Sequence, residues 1–305
     1  MLPPVELIAI DIDGTLLPSV GGEVTERTRR ALELARASGI EVVIATGRRH
    51  RYASPILERA GQPERTVLIS SNGSVTRRLN GERMDHFTLS LETSVGLCGA
   101  LRPFGGTVVF TFDREGLGEM VLESFAAAHA QLHGWVEANR AALEEVNPLE
   151  RAFDGGAEPI QAMICGGVKA MREAENWLVS SHYSGALEMH RTEYPARDLT
   201  ILDLLPPGCS KGQALARLAG RRGLAAGQVM AIGDNWNDET MLRWAGRAVV
   251  MGNGAPDLLQ HARSSGWQIA AGNDEDGVAQ VVEAVVAERA DGAARPIDRA
   301  TEVAL

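Results

Sequence analysis

Asp11 and Asp13 stand two residues apart at the end of an apolar run that begins at Val5, and Gly14 and Thr15 follow at once. A run this apolar is expected to be a strand covered on both faces, as in a parallel sheet flanked by helices. Residues two apart in an extended chain point the same way, so both carboxylates are expected on one side at the strand's carboxyl end. Two acids that close are costly unless they share a proton or a cation. The bland alternative is an Asp-Gly turn with a helix-capping acid beside it. Three further polar clusters have comparable settings: Thr46-Gly47-Arg48 after an apolar run, Ser210-Lys211-Gly212 at a helix start, and Gly233-Asp234-Asn235-Trp236-Asn237-Asp238 after another apolar run. Open parallel sheets bind their ligands at the carboxyl edge of the strands. The convergence of four clusters therefore carries more than any one of them.

The elements that must position these residues follow from periodicity. Beyond the loop at 18–22, Thr25 is placed to cap a helix running to about 36, with Gly39 ending it. A strand over 40–45, a helix over 51–60 and a strand over 66–69 complete the first half of a doubly wound sheet. Asn80-Gly81 between two alternating runs signals a hairpin. The rhythm changes over 90–195, where a helix, a strand, a helix-rich stretch to about 149, a strand, a helix and a strand read as a separate α+β unit. From 196 to 305 the first pattern resumes, starting with a strand over 199–205 and ending with a helix over 276–289 and a small, polar, loosely held tail. The expected architecture is α/β, with a doubly wound parallel sheet built from 1–89 and 196–305 and an α+β domain inserted at 90–195.

The chain has 305 residues, enough for two domains, and its 45% apolar and 23% charged content argues against disordered and fibrous classes. No run of about eighteen apolar residues and no signal-like start occur, so a soluble, cytoplasmic protein is expected with no membrane partner. A net charge of −10 disfavours nucleic acid, whose binding depends on a basic surface. Cys98, Cys165 and Cys209 are odd in number and unpaired in spacing, as expected of free thiols. Lys169 and Lys211 are the only lysines among 30 fixed positive charges, so each asks for its own explanation.

Taken together, Asp11-Ile12-Asp13-Gly14-Thr15, Thr46 in Ala-Thr-Gly-Arg, Lys211 in Ser-Lys-Gly and the Gly233–Asp238 cluster resemble the four motifs of the haloacid dehalogenase-like superfamily. An α+β insert between the second and third motifs is what its Cof-type phosphatases with a type IIB cap carry. Met251-Gly252-Asn253-Gly254 and the stretch from Asn273 to Val278 extend the resemblance through the second core segment, while the cap matches by position and element order alone.

The resemblance implies a phosphoryl-transfer site. Asp11 would be the nucleophile, forming an aspartyl-phosphate. Asp13 would protonate the leaving oxygen and then deprotonate the attacking water. Mg²⁺ would be held by Asp11, the backbone carbonyl of Asp13 and Asp234, with Asp238 helping directly or through water. Lys211 would meet phosphate as a compact charge, the alternative being a solvated surface lysine. Thr46 and the Gly47 amide could donate to phosphate, or simply end a strand. Asn237 could donate to phosphate, hold Lys211 or only cap a helix. Arg48 could face the substrate, Arg49 and Arg51 reading equally as a solvated basic face. Asn72 lies beside the site in similar phosphatases, or else makes a tight turn. His190, Arg191, Tyr194 and Arg197 are the weak candidates for substrate contacts from the insert.

The expected activity is a Mg²⁺-dependent phosphatase acting on a small phosphorylated metabolite, a sugar phosphate or similar phosphomonoester. A phosphomutase of similar fold and a non-catalytic phosphometabolite-binding regulator are the alternatives. Nothing in the sequence decides between monomer and homodimer, or names the metabolite.

Overall fold

The computed structural model describes residues 3–294. Its first sheet has eight strands in the order β14-β13-β12-β1-β2-β3-β4-β5. These are β1 (Leu7–Ile10), β2 (Glu41–Ala45), β3 (Val67–Ser70), β4 (Val75–Arg78), β5 (Arg83–His86), β12 (Val229–Gly233), β13 (Arg247–Val250) and β14 (Gln268–Ile269). Every pairing from β14 through β3 is parallel, and the β4–β5 hairpin closes one edge antiparallel.

Period-two alternation divides the central strands between two cores. Ile8 and Ile10 enter one with Ile44, Leu68 and Ile232, covered by α1 (Glu26–Ala37), α2 (His50–Arg59) and α9 (Gly277–Ala294). Leu7 and Ala9 enter the other with Val43, Ile69 and Ala231, covered by α6 (Lys211–Arg221), α7 (Glu239–Trp244) and α8 (Pro256–Ser265). Burying one Leu or Ile side chain contributes about 1.5–3 kcal/mol, so a slip of one residue in β1, which would exchange the faces, is strongly opposed. Thr25 caps α1 as expected, its Oγ1 accepting from the Thr28 amide at 3.2 Å. The final helix outruns its expected end, reaching Ala294, and the part of the expected tail at 295–305 lies outside the described residues.

The second sheet has six strands, in the order β10-β11-β9-β6-β7-β8. They are β6 (Thr107–Thr111), β7 (Met120–Leu122), β8 (Leu143–Glu145), β9 (Gln161–Gly166), β10 (Glu188–Tyr194) and β11 (Leu199–Leu205). One face packs on α3 (Leu91–Leu101) and α5 (Val168–Ser180), where Phe110, Ile164, Leu202 and Leu204 meet Leu97, Met171 and Leu178. The opposite face is roofed in part by Leu132 and Val136, at the start and within α4 (His133–Ala138).

Two expectations are corrected. The sequence places the strand 199–205 with the first sheet, but β11 pairs antiparallel with both β9 and β10, so the insert extends to Leu205. Its apolar run ending at a polar turn looks like a core strand, and local pattern carries no information about which sheet accepts it. The helix-rich stretch expected up to 149 instead holds strands β7 and β8, with one short 3₁₀ turn and the six-residue α4 between them.

Candidate active site

β1 lies between β2 and β12, so the connections leave it in opposite directions and open a crevice at its carboxyl end. The strand stops at Ile10, and a wide turn follows in which the Leu16 and Leu17 amides donate to the Asp11 and Ile12 carbonyls at 3.2 and 3.0 Å. Gly14 sits in this turn at φ +78°, and a Cβ there would come within 2.3 Å of Asp234 Oδ2. Glycine is thus required both by conformation and by the closeness of the acid opposite. Asn253 and Asn273 brace the turn from behind, their Nδ2 groups donating to the Gly14 and Leu17 carbonyls, each at 2.8 Å.

The two acids of the opening motif do not stay together. Because the strand has ended, they leave it differently, contrary to the expectation of a shared side. Asp11 is 4% exposed and accepts from Lys211 Nζ at 2.6 Å. Asp13 turns to Arg48, which donates to both carboxylate oxygens at 2.7 and 2.5 Å. The crowding falls instead on Asp11, Asp234 and Asp238, each offering a carboxylate oxygen within 4.8 Å of the others.

Lys211 is the cation that answers them. The Ser210 hydroxyl caps α6 by accepting from Gln213 N at 3.1 Å, and Lys211, the next residue, is wholly buried. Its ammonium donates to Asp11 Oδ1 and Asp238 Oδ1, both at 2.6 Å. The surface-lysine reading is thereby excluded. Asp238 also accepts the Asp234 and Asn235 amides on Oδ2 at 3.0 and 3.1 Å, so both of its oxygens are engaged. It holds Lys211 and shapes the 234–238 turn, and one carboxylate oxygen each of Asp11, Asp234 and Asp238 lies close enough to the others to share a cation. The expectation for Asn237 is a contact to phosphate, to Lys211 or a plain helix cap, and the caps there are Asn235 and Asp238. The lysine is held by carboxylates instead, and Asn237 lines the adjoining cavity.

Electrostatics follow from burial. Desolvation, reinforced by Asp238 and opposed by Lys211, raises the Asp11 carboxyl well above its ordinary range. Burial and then Asp238 push Asp234 up to about 7, against the hydrogen bond from Thr15 Oγ1 at 2.9 Å. Burial disfavours the charge on Lys211, but Asp11 and Asp238 outweigh it, so the lysine stays protonated. An excess of buried negative charge with hard oxygen donors fits a divalent cation of the Mg²⁺ type.

The second motif forms the adjoining wall. Thr46 is wholly buried, and its hydroxyl accepts from the Arg48 amide at 3.1 Å. Gly47 and Arg48 line the cavity, and a Cβ on Gly47 would lie 3.1 Å from Asn72 Oδ1. Asn72 adopts φ +52°, donates its amide N–H to the Thr46 carbonyl at 3.1 Å and is buried beside the cavity, which joins the turn reading to the site reading. Arg49, whose side chain is 12% exposed, corrects the solvated-face expectation, while Arg51 stays exposed. Both meet Glu119 of the inserted domain, at 2.8 and 3.1 Å, and Glu119 is only 2% exposed.

The cavity, about 560 Å³, lies between the strand ends of the first sheet and the open face of the second. Of the weak candidates from the insert, only Tyr194 reaches it. Arg191 pairs with Glu175 on the outer side, and Arg197 lies in an exposed turn. His190 is opposite Asp203 in register, and burial, with Lys211, lowers it to about 4, so it is neutral. Sequence reasoning missed Tyr52, Trp135, Asn139, Gln161, Thr192 and Asp203 in the lining. Asp203 alone had a visible signal, as an acid inside the apolar run Leu-Thr-Ile-Leu-Asp-Leu-Leu. The three cysteines are buried and unpaired, away from this lining.

Comparison with known proteins agrees with this arrangement. The haloacid dehalogenase-like hydrolase family matches residues 8–282. The chain is 31% identical over 301 residues to the phosphatase YwpJ of Bacillus subtilis, covering 91% of this chain and 98% of that one. It is 28% identical to an HMP-PP phosphatase of Yersinia enterocolitica, covering 91% and 94%. A subclass IIB sugar phosphatase of the superfamily, 20% identical, superposes with a TM-score of 0.70 over 92% of this chain and 98% of that one, and shares the fold. Motif geometry, insert and relatives converge, and the chain belongs to the haloacid dehalogenase-like hydrolases as a phosphatase of the Cof type.

Proposed function

We propose that this phosphatase is Mg²⁺-dependent and hydrolyses a small phosphomonoester, a sugar phosphate or a close relative, through an aspartyl-phosphate on Asp11. The observation that carries the reading is the buried Asp11–Lys211–Asp238 chain beside Asp234, opening onto a cavity of small-metabolite size. Bound Mg²⁺, held by Asp11, the Asp13 carbonyl and Asp234, would neutralise the phosphate oxygens.

The chain's own residues do the rest. Lys211 and Asp238 fix the orientation of Asp11 so that one carboxylate oxygen can attack phosphorus in line with the departing alcohol. As the Asp11–phosphorus bond forms, the phosphorus–alcohol bond breaks and Asp13, parted from Arg48 and protonated, gives its proton to the leaving oxygen. Asp13 then removes a proton from water, which attacks the same phosphorus and releases Asp11 and inorganic phosphate. Arg48, joined to Asp13, lines the cavity beside the position where the phosphate would sit. The Gly47 amide and Thr46 hydroxyl supply donors on the other side, with Asn72 and Asn237 behind.

The test is phosphate release from sugar phosphates, nucleotides, pyridoxal phosphate and p-nitrophenyl phosphate, with and without Mg²⁺. Release that requires Mg²⁺ and disappears in Asp11→Asn is expected. Absence of release from every compound would refute the reading, and an Asp11→Asn variant of full activity would refute the nucleophile.

A further inference from the structure

The cavity face of the second sheet presents alternate residues: Gln161 and Met163 on β9, Ile201 and Asp203 on β11, Thr192 and Tyr194 on β10. Among the described residues, Asp203 is the only charged group that the inserted domain contributes to this lining, and it contributes no cation. The lining cations, Arg48 and Arg49, belong to the first domain and are already paired. Arg48 chelates Asp13, while Arg49 meets Glu119 at 2.8 Å and Asn139 Oδ1 at 3.0 Å. Lys211 is held between two carboxylates.

Asp203 itself is poorly partnered. The hydrogen bond it accepts comes from the neutral Asn72 Nδ2 at a long 3.4 Å, although an ionised carboxylate offers about four acceptor sites. Close by in the same lining, Gln161 Oε1 is buried and accepts nothing. The unfilled Gln161 acceptor is buried away from water and Asp203 stands half-buried at the cavity wall with spare acceptor sites, so this face favours an occupant that donates hydrogen bonds. A second anion would meet the Asp203 carboxylate with no free cation to offset it.

We infer that Asp203 is a specificity-determining residue: it selects phosphomonoesters whose non-phosphate end is neutral or cationic and donates hydrogen bonds from hydroxyl or amino groups, and it rejects those bearing a second phosphate or a carboxylate. This rests on the phosphatase reading and deepens it by naming the substrate class. It also counts against the phosphomutase alternative, since a bisphosphate is the ligand this face disfavours. Burial pushes the Asp203 carboxyl up to about 6, so it is largely ionised at neutral pH.

The experiment compares wild type with Asp203→Asn at neutral pH in Mg²⁺, using glucosamine 6-phosphate, glucose 6-phosphate, 6-phosphogluconate and fructose 1,6-bisphosphate. Each is measured as a substrate or, where not turned over, as a competitive inhibitor of p-nitrophenyl phosphate hydrolysis. The amino and neutral sugars are expected to exceed the acid and the bisphosphate by about tenfold or more in kcat/KM or in inhibition constant. In Asp203→Asn the ratio of amino sugar to acid should fall by about tenfold. Because the ratio is read within one variant, a general loss of activity cancels. The inference is overturned if wild type handles the acid or bisphosphate as well as the amino sugar, if the ratio is unaltered in the variant, or if none of the four competes. A wild type inert towards p-nitrophenyl phosphate and every other phosphate ester would refute the phosphatase reading itself, a separate outcome.

Discussion

Replacing Lys211 by Met removes the cation between two buried acids, Asp11 and Asp238, beside the half-buried Asp234, while keeping most of the side chain's volume. Each of its two contacts is 2.6 Å long. At an effective dielectric constant of about 20, each represents roughly 6 kcal/mol of gross attraction. Taking the ammonium and carboxylates out of water costs several kcal/mol per ion, so the net worth is far smaller. Removing one partner of such a set typically costs about 3–5 kcal/mol, because the other charges stay buried and unpaired. That is the expected loss for Lys211→Met at pH 8 without Mg²⁺, read from urea unfolding. The loss must depend on pH in a definite direction. Burial already holds Asp11 and Asp234 above their unfolded values, and deleting the lysine raises Asp11 further. A carboxyl raised in the folded state contributes its full stability below the unfolded value of about 3.9 and loses it as pH rises through the folded value. The deficit should therefore be small near pH 4–5 and largest at pH 8, and Mg²⁺ should recover part of it. A variant within about 1 kcal/mol of wild type at pH 8, or a deficit independent of pH, would refute the account of Lys211 as the neutralising group.

Mg²⁺ should raise the melting temperature of the wild type more at pH 8 than at pH 6, because Asp234, pushed up to about 7, must shed its proton to bind a cation. Chelation should reverse the gain and Asp234→Asn should abolish it; an increment equal at both pH values would contradict the assignment. Gly73→Ala should lower stability by more than about 2 kcal/mol in urea unfolding, since the residue has φ +103° and its Cβ would lie 2.3 Å from the Ser210 carbonyl. Near-wild-type unfolding would show that the Asn72 loop and the Lys211 helix start are not in this contact. Glu119→Gln should loosen the two domains by leaving Arg49 and Arg51 without their buried anion, costing about 1–3 kcal/mol and raising KM several-fold. Unchanged KM and melting temperature would assign that contact no part in holding the two domains together.

The chemistry was legible because its signals are local. An apolar run, a sharp polar turn and a helix start can each be read within a few residues, and all four clusters do lie around one crevice. Asp11, Asp234, Lys211 and Gly47 were found this way, as was the insert between them. Other features were illegible for a reason common to all of them. Asp13 joins Arg48 across 35 positions of chain and Asn72 meets Asp203 across 131, and Arg49 meets Glu119 in the inserted domain.

What the sequence determined by itself was the set of groups able to do phosphoryl chemistry and the strands that carry them to one edge, because periodicity and turn chemistry act over a few residues. Tertiary structure decided how those groups are paired. It sent Asp13 away from Asp11, engaged both oxygens of Asp238, drew β11 into the second sheet and turned Asp203 towards the cavity. Strand register and domain packing fix such contacts, and they are settled only when surfaces far apart in the chain compete for the same buried space.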